Sequence, residues 1–218
     1  MNAIKNLIRG NKLFRKYQFD EFKDDLSELN ATGQKPEILF ITCCDSRITI
    51  DFMVGSKPGD LFILRNIGNF VPPFSLNGDF HGTASAIEYA VSILNVSHII
   101  VCGHSYCGAC KSLYEDIPDT QHYINIKKWL QLGQEAKNLT LENKHLYQTL
   151  SDLYKATEKN SVICQVKNLL TYPAIKEKIE LNNITIHGWY YNLDDGSIEY
   201  YDKNENSFKQ ISEYLNYY

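Results

Sequence analysis

Four short runs of apolar residues are separated by longer, amphipathic stretches along this chain. The runs are ILFITCC (38–44), DLFILRN (60–66), HIIVCGH (98–104) and ITIHGWYYN (184–192). Each is apolar almost throughout rather than at every second position, which is typical of strands covered on both faces of a parallel sheet. A fifth run, SIEYYDK (197–203), follows the turn sequence LDDGS, whose Asp-Gly pair favours a hairpin. We expect this fifth strand to be antiparallel and to lie at the sheet edge.

Helical periodicity marks the stretches between these strands. In TASAIEYAVSILN (83–95), apolar side chains recur on one helix face, and Thr83 is a candidate N-cap. The residues on that face are Ala84, Ile87, Val91 and Leu94. Further helices are predicted over residues 120–137, 140–158 and 161–180. The last of these is expected to break before Pro173, because proline disrupts a helix interior.

The N-terminal residues 1–33 predict a helical arm. Phe22, Leu26 and Leu29 recur there at helical spacing, and we expect them to pack on another part of the chain or on a second subunit. No repeat, low-complexity segment or linker is evident. The 218 residues suffice for one substantial core and are few for two, so residues 1–218 are predicted to form a single domain.

The order of these elements predicts an α/β fold with a mostly parallel sheet. We expect four parallel strands in the order 2-1-3-4, an antiparallel edge strand, flanking helices and the N-terminal arm. In such a sheet, ligands bind outside the carboxyl ends of the strands, where the strand order reverses. The candidate chemistry should therefore follow strands one and three.

Composition excludes several classes of function. The formal net charge of −4 offers no electrostatic footprint for nucleic acid or anionic lipid. No segment approaches the ~20 apolar residues of a membrane span. Polar residues interrupt the first apolar runs before they reach the length of the hydrophobic region of a signal peptide. A cytoplasmic protein is expected. The chain has six cysteines. In a reducing compartment, clustered cysteines bind metal or act in catalysis more often than they form disulfides.

Two of the predicted strands end in candidate metal ligands. Strand one ends in CCDSR, starting at Cys43, and strand three ends in CGHSYC, which contains His104 and Cys107. If these strands are neighbours, the two thiolates and the imidazole converge. Three such ligands with an open fourth position are typical of a catalytic zinc site.

The same residues also fit a redox interpretation. Cys107-Gly-Ala-Cys110 has the spacing of a thiol–disulfide centre. That hypothesis leaves CCDSR unexplained, whereas zinc binding uses both strand ends, so zinc binding is favoured. Cys44 and Cys102 are expected to be small buried hydrophobic residues.

Asp45 and Arg47 provide a candidate polar dyad beside the metal. Side chains two residues apart share one face of an extended segment, so Arg47 could keep Asp45 ionised and oriented. The alternative is an ordinary solvated ion pair in a loop, which contributes only ~0–1 kcal/mol.

These motifs resemble the β-class carbonic anhydrases over roughly residues 34–200. The family signatures Cys-x-Asp-x-Arg and His-x-x-Cys match Cys43 to Arg47 and His104 to Cys107. PGDLFILRNIGN, AIEYAVSILNVSHIIVCGHSYCGA and IHGWYYNLDDG are similar as well. The resemblance implies one Zn²⁺ per chain, bound by Cys43, His104 and Cys107. It gives Cys110 no metal role.

The resemblance also implies a substrate pocket of the plant-type, non-allosteric branch. Gln34, Phe62 and Tyr89 stand at the pocket positions of that branch, and Ile67 is expected beside them. The allosteric branch has Trp where this chain has Phe40, although Arg65 of the allosteric pattern is present. In the family this pocket lies at a dimer interface, so a homodimer or homotetramer is expected.

The implied activity is the reversible hydration of carbon dioxide to bicarbonate and a proton. In it, zinc-bound hydroxide attacks the substrate with the assistance of Asp45 and Arg47. Three alternatives remain open at this point. They are hydrolysis of carbonyl sulfide or carbon disulfide at the same zinc, a redox protein using Cys107 and Cys110, and a zinc-holding sensor without catalysis.

Overall fold

Six strands form one sheet in the part of the chain that the computed structural model describes, residues 2–77 and 81–214, in the order β2-β1-β3-β4-β5-β6. The strands are β1 (Ile38–Cys43), β2 (Leu61–Asn66), β3 (His98–His104), β4 (Thr185–Tyr191), β5 (Ile198–Asp202) and β6 (Ser207–Gln210). Strands β1 to β4 are parallel, in the predicted order 2-1-3-4. The α/β fold with its mostly parallel sheet is confirmed.

The antiparallel part of the sheet is larger than predicted. Strand β5 pairs antiparallel with β4, as expected from the turn sequence before it. The prediction that β5 is the edge strand is wrong, because β6 pairs along its outer side. The chain reverses direction over residues 203–206, where Asn206 adopts a positive φ of 50°. Strand β6 is only four residues long and mostly polar, which is why its sequence gives little strand signal.

Ten α-helices are present among the described residues. They are α1 (Ala3–Tyr17), α2 (Phe19–Thr32), α3 (Ile50–Val54), α4 (His81–Glu88), α5 (Gly108–Ser112), α6 (Ile124–Leu130), α7 (Gln134–Glu142), α8 (Leu150–Leu169), α9 (Pro173–Glu180) and α10 (Ile211–Tyr214). Short 3₁₀ turns lie at Ile67–Asn69, Gln131–Gly133 and Lys144–Leu146. None of the described helices is both long and apolar enough to cross a bilayer.

The helix predicted over residues 83–95 begins earlier and changes character part-way. Thr83 is not its N-cap, because α4 already includes His81. The Thr83 hydroxyl instead accepts a hydrogen bond from the Asn66 side chain at 3.4 Å. The last part is a π-helical turn at Tyr89–Ile93. The predicted apolar face does pack into the core.

The predicted helices after β3 have different boundaries. The stretch 120–137 forms α6 and the start of α7, separated by a turn that ends at Gly133. A Cβ on Gly133 would lie 2.7 Å from the Phe70 ring, so this close approach requires glycine at the end of the turn. The expected break between residues 158 and 161 does not exist, since α8 is continuous. Thr149 and Asp152 cap its start reciprocally, and the predicted break before Pro173 is confirmed.

The two faces of the sheet pack into separate apolar clusters. Alternate residues of β1 and β3, such as Leu39 and Ile99, face the cluster formed with α4, α8 and α9. Their neighbours, such as Phe40 and Ile100, face a smaller cluster with Ile48 and the start of α3. This alternation fixes which strand residues can reach each face.

The N-terminal arm consists of two helices, α1 and α2. Phe14 of α1 stacks on Phe22 of α2, with ring centroids 6.4 Å apart. Leu29 contacts Gly59, which places α2 against the loop before β2. The other face of α1 is exposed, including Ile4 and Leu7. The expected packing of the arm on the rest of the chain is therefore seen for α2.

A histidine pair across β3 and β4 predicts a pH-dependent stability. Nδ1 of His98 lies 3.1 Å from Nε2 of His187. Burial and the nearby His98 lower the pKa of His187 to about 4. An unfolded chain binds this proton near pH 6.5, so stability is full above that pH and falls as the pH drops towards 4.

We expect His187→Gln to flatten this dependence. Between pH 7 and pH 5, the wild-type free energy of unfolding should fall by about 2 kcal/mol more than that of the variant. Urea unfolding of both proteins, measured at each pH, gives the difference. Parallel curves would show that the titration of His187 is not linked to folding.

Candidate metal centre

The sheet brings the three predicted metal ligands together. Cys43 is the last residue of β1 and His104 the last of β3, and these strands are adjacent. Cys107 follows three residues later, immediately before α5. All three side chains are buried, and their ligand atoms lie within 4.8 Å of one another. This is the convergence expected at the carboxyl ends of neighbouring parallel strands.

The hydrogen bonds of His104 suit a metal ligand. Its Nδ1 lies 2.9 Å from the Ser105 carbonyl oxygen, which can only accept, so Nδ1 carries the proton. This tautomer leaves the Nε2 lone pair free, and Nε2 is buried with no hydrogen-bond partner. A buried polar atom without a partner is costly unless something else satisfies it. The two sulfur atoms and this nitrogen could hold a metal ion, and they match the donor type of three-ligand zinc sites.

The two thiols influence each other's proton affinity. The hydrogen bond with Cys107 and burial raise the pKa of Cys43 to about 12. The Cys107 thiol likewise has a raised pKa, owing first to its hydrogen bond with Cys110. Metal binding requires deprotonated thiols and therefore releases these protons.

Backbone and side-chain donors hold the end of β1, where Cys43 lies, and the loop that follows it. The Gly68 amide lies 3.4 Å from the Cys43 sulfur, and Gly68 has a positive φ of 76°. A Cβ there would meet the Cβ of Ala109 at 2.8 Å, so glycine is required at this position. From β2, Arg65 donates to the carbonyl oxygens of Cys43 at 3.0 Å and Asp45 at 2.8 Å.

Asp45 and Arg47 form a bidentate ion pair within the loop that follows Cys43. Arg47 Nε donates to Oδ1 at 2.9 Å and Nη2 donates to Oδ2 at 2.7 Å. The same Nη2 donates to the Tyr106 carbonyl oxygen at 3.0 Å, which connects the pair to the His104–Cys107 loop. Hydrogen bonding from Arg47 holds the pKa of Asp45 well below its usual range. The carboxylate is therefore ionised and fixed in orientation.

Comparison with known proteins decides the family. The sequence model of the carbonic anhydrase family matches residues 38–198. The chain is 38% identical over 196 residues to the carbonic anhydrase of Synechococcus elongatus, covering 89% of this chain and 70% of that protein. The structure of the β-carbonic anhydrase CcaA is similar with a TM-score of 0.88 and 35% identity, over 95% of this chain and 91% of that one. The chain belongs to the β-carbonic anhydrase family.

The matched region starts at β1 and ends at β5, so it includes the whole metal centre. A tetrameric β-carbonic anhydrase of Sordaria macrospora is also similar, with a TM-score of 0.79 and 30% identity over 92% of this chain and 97% of that one. The resemblance noted in the sequence is confirmed. The family is one of lyases that hydrate carbon dioxide.

The predicted substrate residues of this β-carbonic anhydrase do not all lie near the metal ligands. Ile67 directly follows β2 and precedes Gly68, so it lies near Cys43. Phe62 pairs with Leu39, whereas Asn66 pairs with Cys43. Four residues of extended strand separate Phe62 from Asn66 by ~13 Å.

Gln34 and Tyr89 lie near the same end of the sheet as Phe62. Tyr89 stacks on the Phe62 ring with centroids 5.8 Å apart. Gln34 precedes β1 and is exposed, nine residues before Cys43. Within one chain, these three residues therefore lie towards the opposite end of the strands from the metal ligands.

The other cysteines differ in their surroundings. Cys102 is buried beside Phe40 and Ile48, as expected. The prediction that Cys44 is buried is wrong, because β1 ends at Cys43 and Cys44 begins the exposed loop. Cys110 is buried next to Cys107 but lies outside the three-atom ligand group.

We expect Cys110→Ser to retain nearly full activity and one zinc per chain. The substitution keeps the size of the side chain and leaves all three ligand atoms in place. It should cost roughly 1 kcal/mol in stability, since a hydroxyl is harder to bury than a thiol. Carbon dioxide hydration and metal analysis check this. A large loss of activity at full zinc content would favour the dithiol hypothesis.

Sequence analysis missed the residues that hold the loop from His104 to Cys107, which carries two of the three candidate ligands. Glu158 of α8 accepts a hydrogen bond from the Cys107 amide at 2.9 Å, and the Tyr106 hydroxyl donates to Asp194 at 2.9 Å. A signal for Glu158 existed, because it shares a helical stripe with Val162, Gln165 and Leu169, all of them buried. A charged residue in such a stripe indicates a specific buried partner.

Proposed function

We propose that this chain catalyses the zinc-dependent, reversible hydration of carbon dioxide to bicarbonate and a proton. The observation that carries the proposal is the buried group of Cys43, His104 and Cys107, with the Asp45–Arg47 pair beside it. We propose one Zn²⁺ per chain, held by these three residues. Family membership supports the reaction, and the donor set supports the metal.

The chain's own residues orient the reactants. When bound, zinc supplies a Lewis acid that makes water reactive near neutral pH. Asp45 accepts a hydrogen bond from the attacking water and directs the oxygen lone pair at the carbon of CO₂. Arg47 occupies both carboxylate oxygens, which keeps Asp45 from acting as a further metal ligand. A new C–O bond gives bicarbonate, and the released proton passes to buffer.

We propose that a second copy of the chain completes the substrate pocket. Ile67 lies near the ligands of its own chain, whereas Gln34, Phe62 and Tyr89 lie too far along the strands to reach them. In a homodimer or homotetramer, these three residues would face the metal centre of the neighbouring subunit. They would form an apolar, plant-type pocket with one amide donor, which suits CO₂.

Exposed apolar residues support such an interface. The unpaired side of β2 and the π-helical turn after α4 expose Ile63, Tyr89 and Ile93. Tyr89 is itself a proposed pocket residue, Ile63 directly follows Phe62 in β2, and Ile93 belongs to the same π-helical turn as Tyr89. A structural relative from Sordaria macrospora is tetrameric.

A charge placed on this surface should disrupt the assembly. We expect Ile93→Glu, at a side chain that is 62% exposed, to shift the protein towards monomer and to lower activity at least tenfold. The matched control is Leu181→Glu, at a side chain that is 60% exposed at the end of α9. Sedimentation at micromolar concentration measures the assembly state of both variants, and CO₂ hydration measures their activity. A wild-type monomer with full activity would contradict the proposed pocket.

We also propose that the chain acts in a reducing compartment, the cytoplasm. All six cysteines are free, including the closely spaced pair Cys107 and Cys110. Oxidising compartments favour disulfides, which would compete with metal binding.

The proposed function is tested by comparing substrates on zinc-loaded protein. We expect rapid hydration of CO₂ in a stopped-flow instrument at pH ~8.5, with little hydrolysis of carbonyl sulfide. Zinc without CO₂ hydration would contradict the proposal. Rapid hydrolysis of carbonyl sulfide in that case would assign the same centre to the sulfur analogue.

A further inference from the structure

Glu158 is a buried carboxylate that the proposed reaction does not use. Only 3% of its surface is exposed, and it lies in the middle of α8. Its Oε1 accepts a hydrogen bond from the Cys107 amide at 2.9 Å, and its Oε2 accepts one from the Tyr190 hydroxyl at 2.7 Å. Burying a carboxylate is expensive, so a specific set of donors must stabilise it.

The Cys107 amide that donates to Glu158 belongs to a residue whose side chain is a proposed metal ligand. The Cys107 amide is attached to the same Cα as the ligating side chain, so fixing the amide restricts where the sulfur can lie. The preceding residue, Tyr106, has a positive φ of 59°, a conformation that is strained for a bulky side chain. The loop therefore needs external bonds to keep this shape, and one of them comes from α8.

The second donor fixes Glu158 itself. Tyr190 belongs to β4 and is completely buried, so its hydroxyl position is set by the sheet. The carboxylate thus joins the rigid sheet and α8 to the loop after β3. Because both oxygens have a donor, its direction towards Cys107 is determined.

We propose that Glu158 is a positioning residue for the second thiolate ligand. By holding the Cys107 amide, it sets the distance of the Cys107 sulfur from His104 Nε2 and the Cys43 sulfur. This inference rests on the proposed zinc function and identifies a residue on which that site depends. It predicts that the reach of the side chain, rather than its charge, determines metal affinity.

Two variants separate reach from charge. Glu158→Gln keeps an oxygen acceptor at the same distance from the backbone, and its amide group can donate to the Tyr190 oxygen. Glu158→Asp keeps the charge but shortens the side chain by one methylene group, which withdraws the acceptor from the Cys107 amide. Glu158→Ala removes the acceptor altogether.

Gln165 provides a matched control on the same helix. It is also fully buried, and its Oε1 accepts a hydrogen bond from the Val71 amide at 2.7 Å. That loop amide is not attached to a metal ligand. Gln165→Ala should therefore lower stability as Glu158→Ala does, without the same effect on zinc.

The experiment measures the zinc dissociation constant by chelator competition and the absorption spectrum of the Co²⁺-substituted protein. We expect Glu158→Asp and Glu158→Ala to bind zinc about 10–100-fold more weakly, the usual effect of losing a residue that supports a ligand. Their thiolate-to-cobalt charge-transfer bands should shift. Glu158→Gln and Gln165→Ala should stay within about threefold of wild type, with unchanged bands. If Glu158→Ala does not fold, Glu158→Asp decides.

Two results would overturn the inference. The first is wild-type zinc affinity and cobalt spectrum in Glu158→Asp. The second is an equal loss in Glu158→Gln, which would assign the effect to charge. Failure of the proposed function looks different, because the wild-type protein itself would then not bind zinc or not hydrate CO₂.

Discussion

His104→Asn is expected to abolish tight zinc binding and to reduce CO₂ hydration by roughly three orders of magnitude. This exceeds the 10–100-fold effect of losing a residue that only supports a ligand. Asparagine is similar in size, so the buried site stays filled, but its amide is a poor zinc ligand. Two thiolates alone leave the metal without the nitrogen that the tautomer of His104 provides.

A histidine on the same strand provides the control. His98→Asn alters the first residue of β3, six residues before His104, and should leave zinc content and hydration close to wild type. Metal analysis and stopped-flow hydration measure both variants. Full zinc content and full activity in His104→Asn would contradict the assignment of the ligands.

Asp45→Asn is expected to keep one zinc per chain yet lose hydration by roughly 10²-fold or more, the scale of removing a positioned acid–base group. The amide keeps the shape of the side chain but removes the charge that Arg47 binds. Its NH₂ group would face the donors of Arg47, so the side chain would rotate or the pair would separate. Either change removes the acceptor that orients water.

An exposed aspartate on α3 serves as the control for Asp45. Asp51→Asn changes a carboxylate that accepts a hydrogen bond from the Ser56 hydroxyl, and it should not change the rate. The comparison is made at equal zinc content. Unchanged turnover in Asp45→Asn would remove Asp45 from the mechanism.

The site could largely be predicted from local sequence because the sheet positions it. Continuous apolar runs mark β1 and β3, and the residues that end them are Cys43 and His104. Once two parallel strands are neighbours, their carboxyl ends must meet. Strand order thus brings Cys43 and His104 to one edge, and Cys107 follows three residues after His104 in the next loop.

Other features depend on long-range contacts that no local pattern carries. The two helices predicted at 140–158 and 161–180 are separated at Lys159 and Asn160, yet α8 runs through both residues, whose side chains contact Glu199 and Thr140. The bond from Glu158 to the Cys107 amide joins residues 51 positions apart. Such contacts exist only in the folded chain.

The location of Phe62 and Tyr89 has a similar cause. Their residue types match a substrate pocket, but sequence alone does not say which metal centre they face. The strand register places them away from the ligands of their own chain. This register supports the expectation that the pocket lies at an interface and is shared between two chains.

The central claim is tested most directly by oxygen-18 exchange between CO₂ and water, followed by mass spectrometry. The protein is measured with one zinc per chain, after chelator treatment, and after zinc is restored. The account predicts fast exchange that disappears with the metal and returns with it. Exchange at the uncatalysed rate in fully zinc-loaded protein, or exchange that persists without zinc, would contradict it.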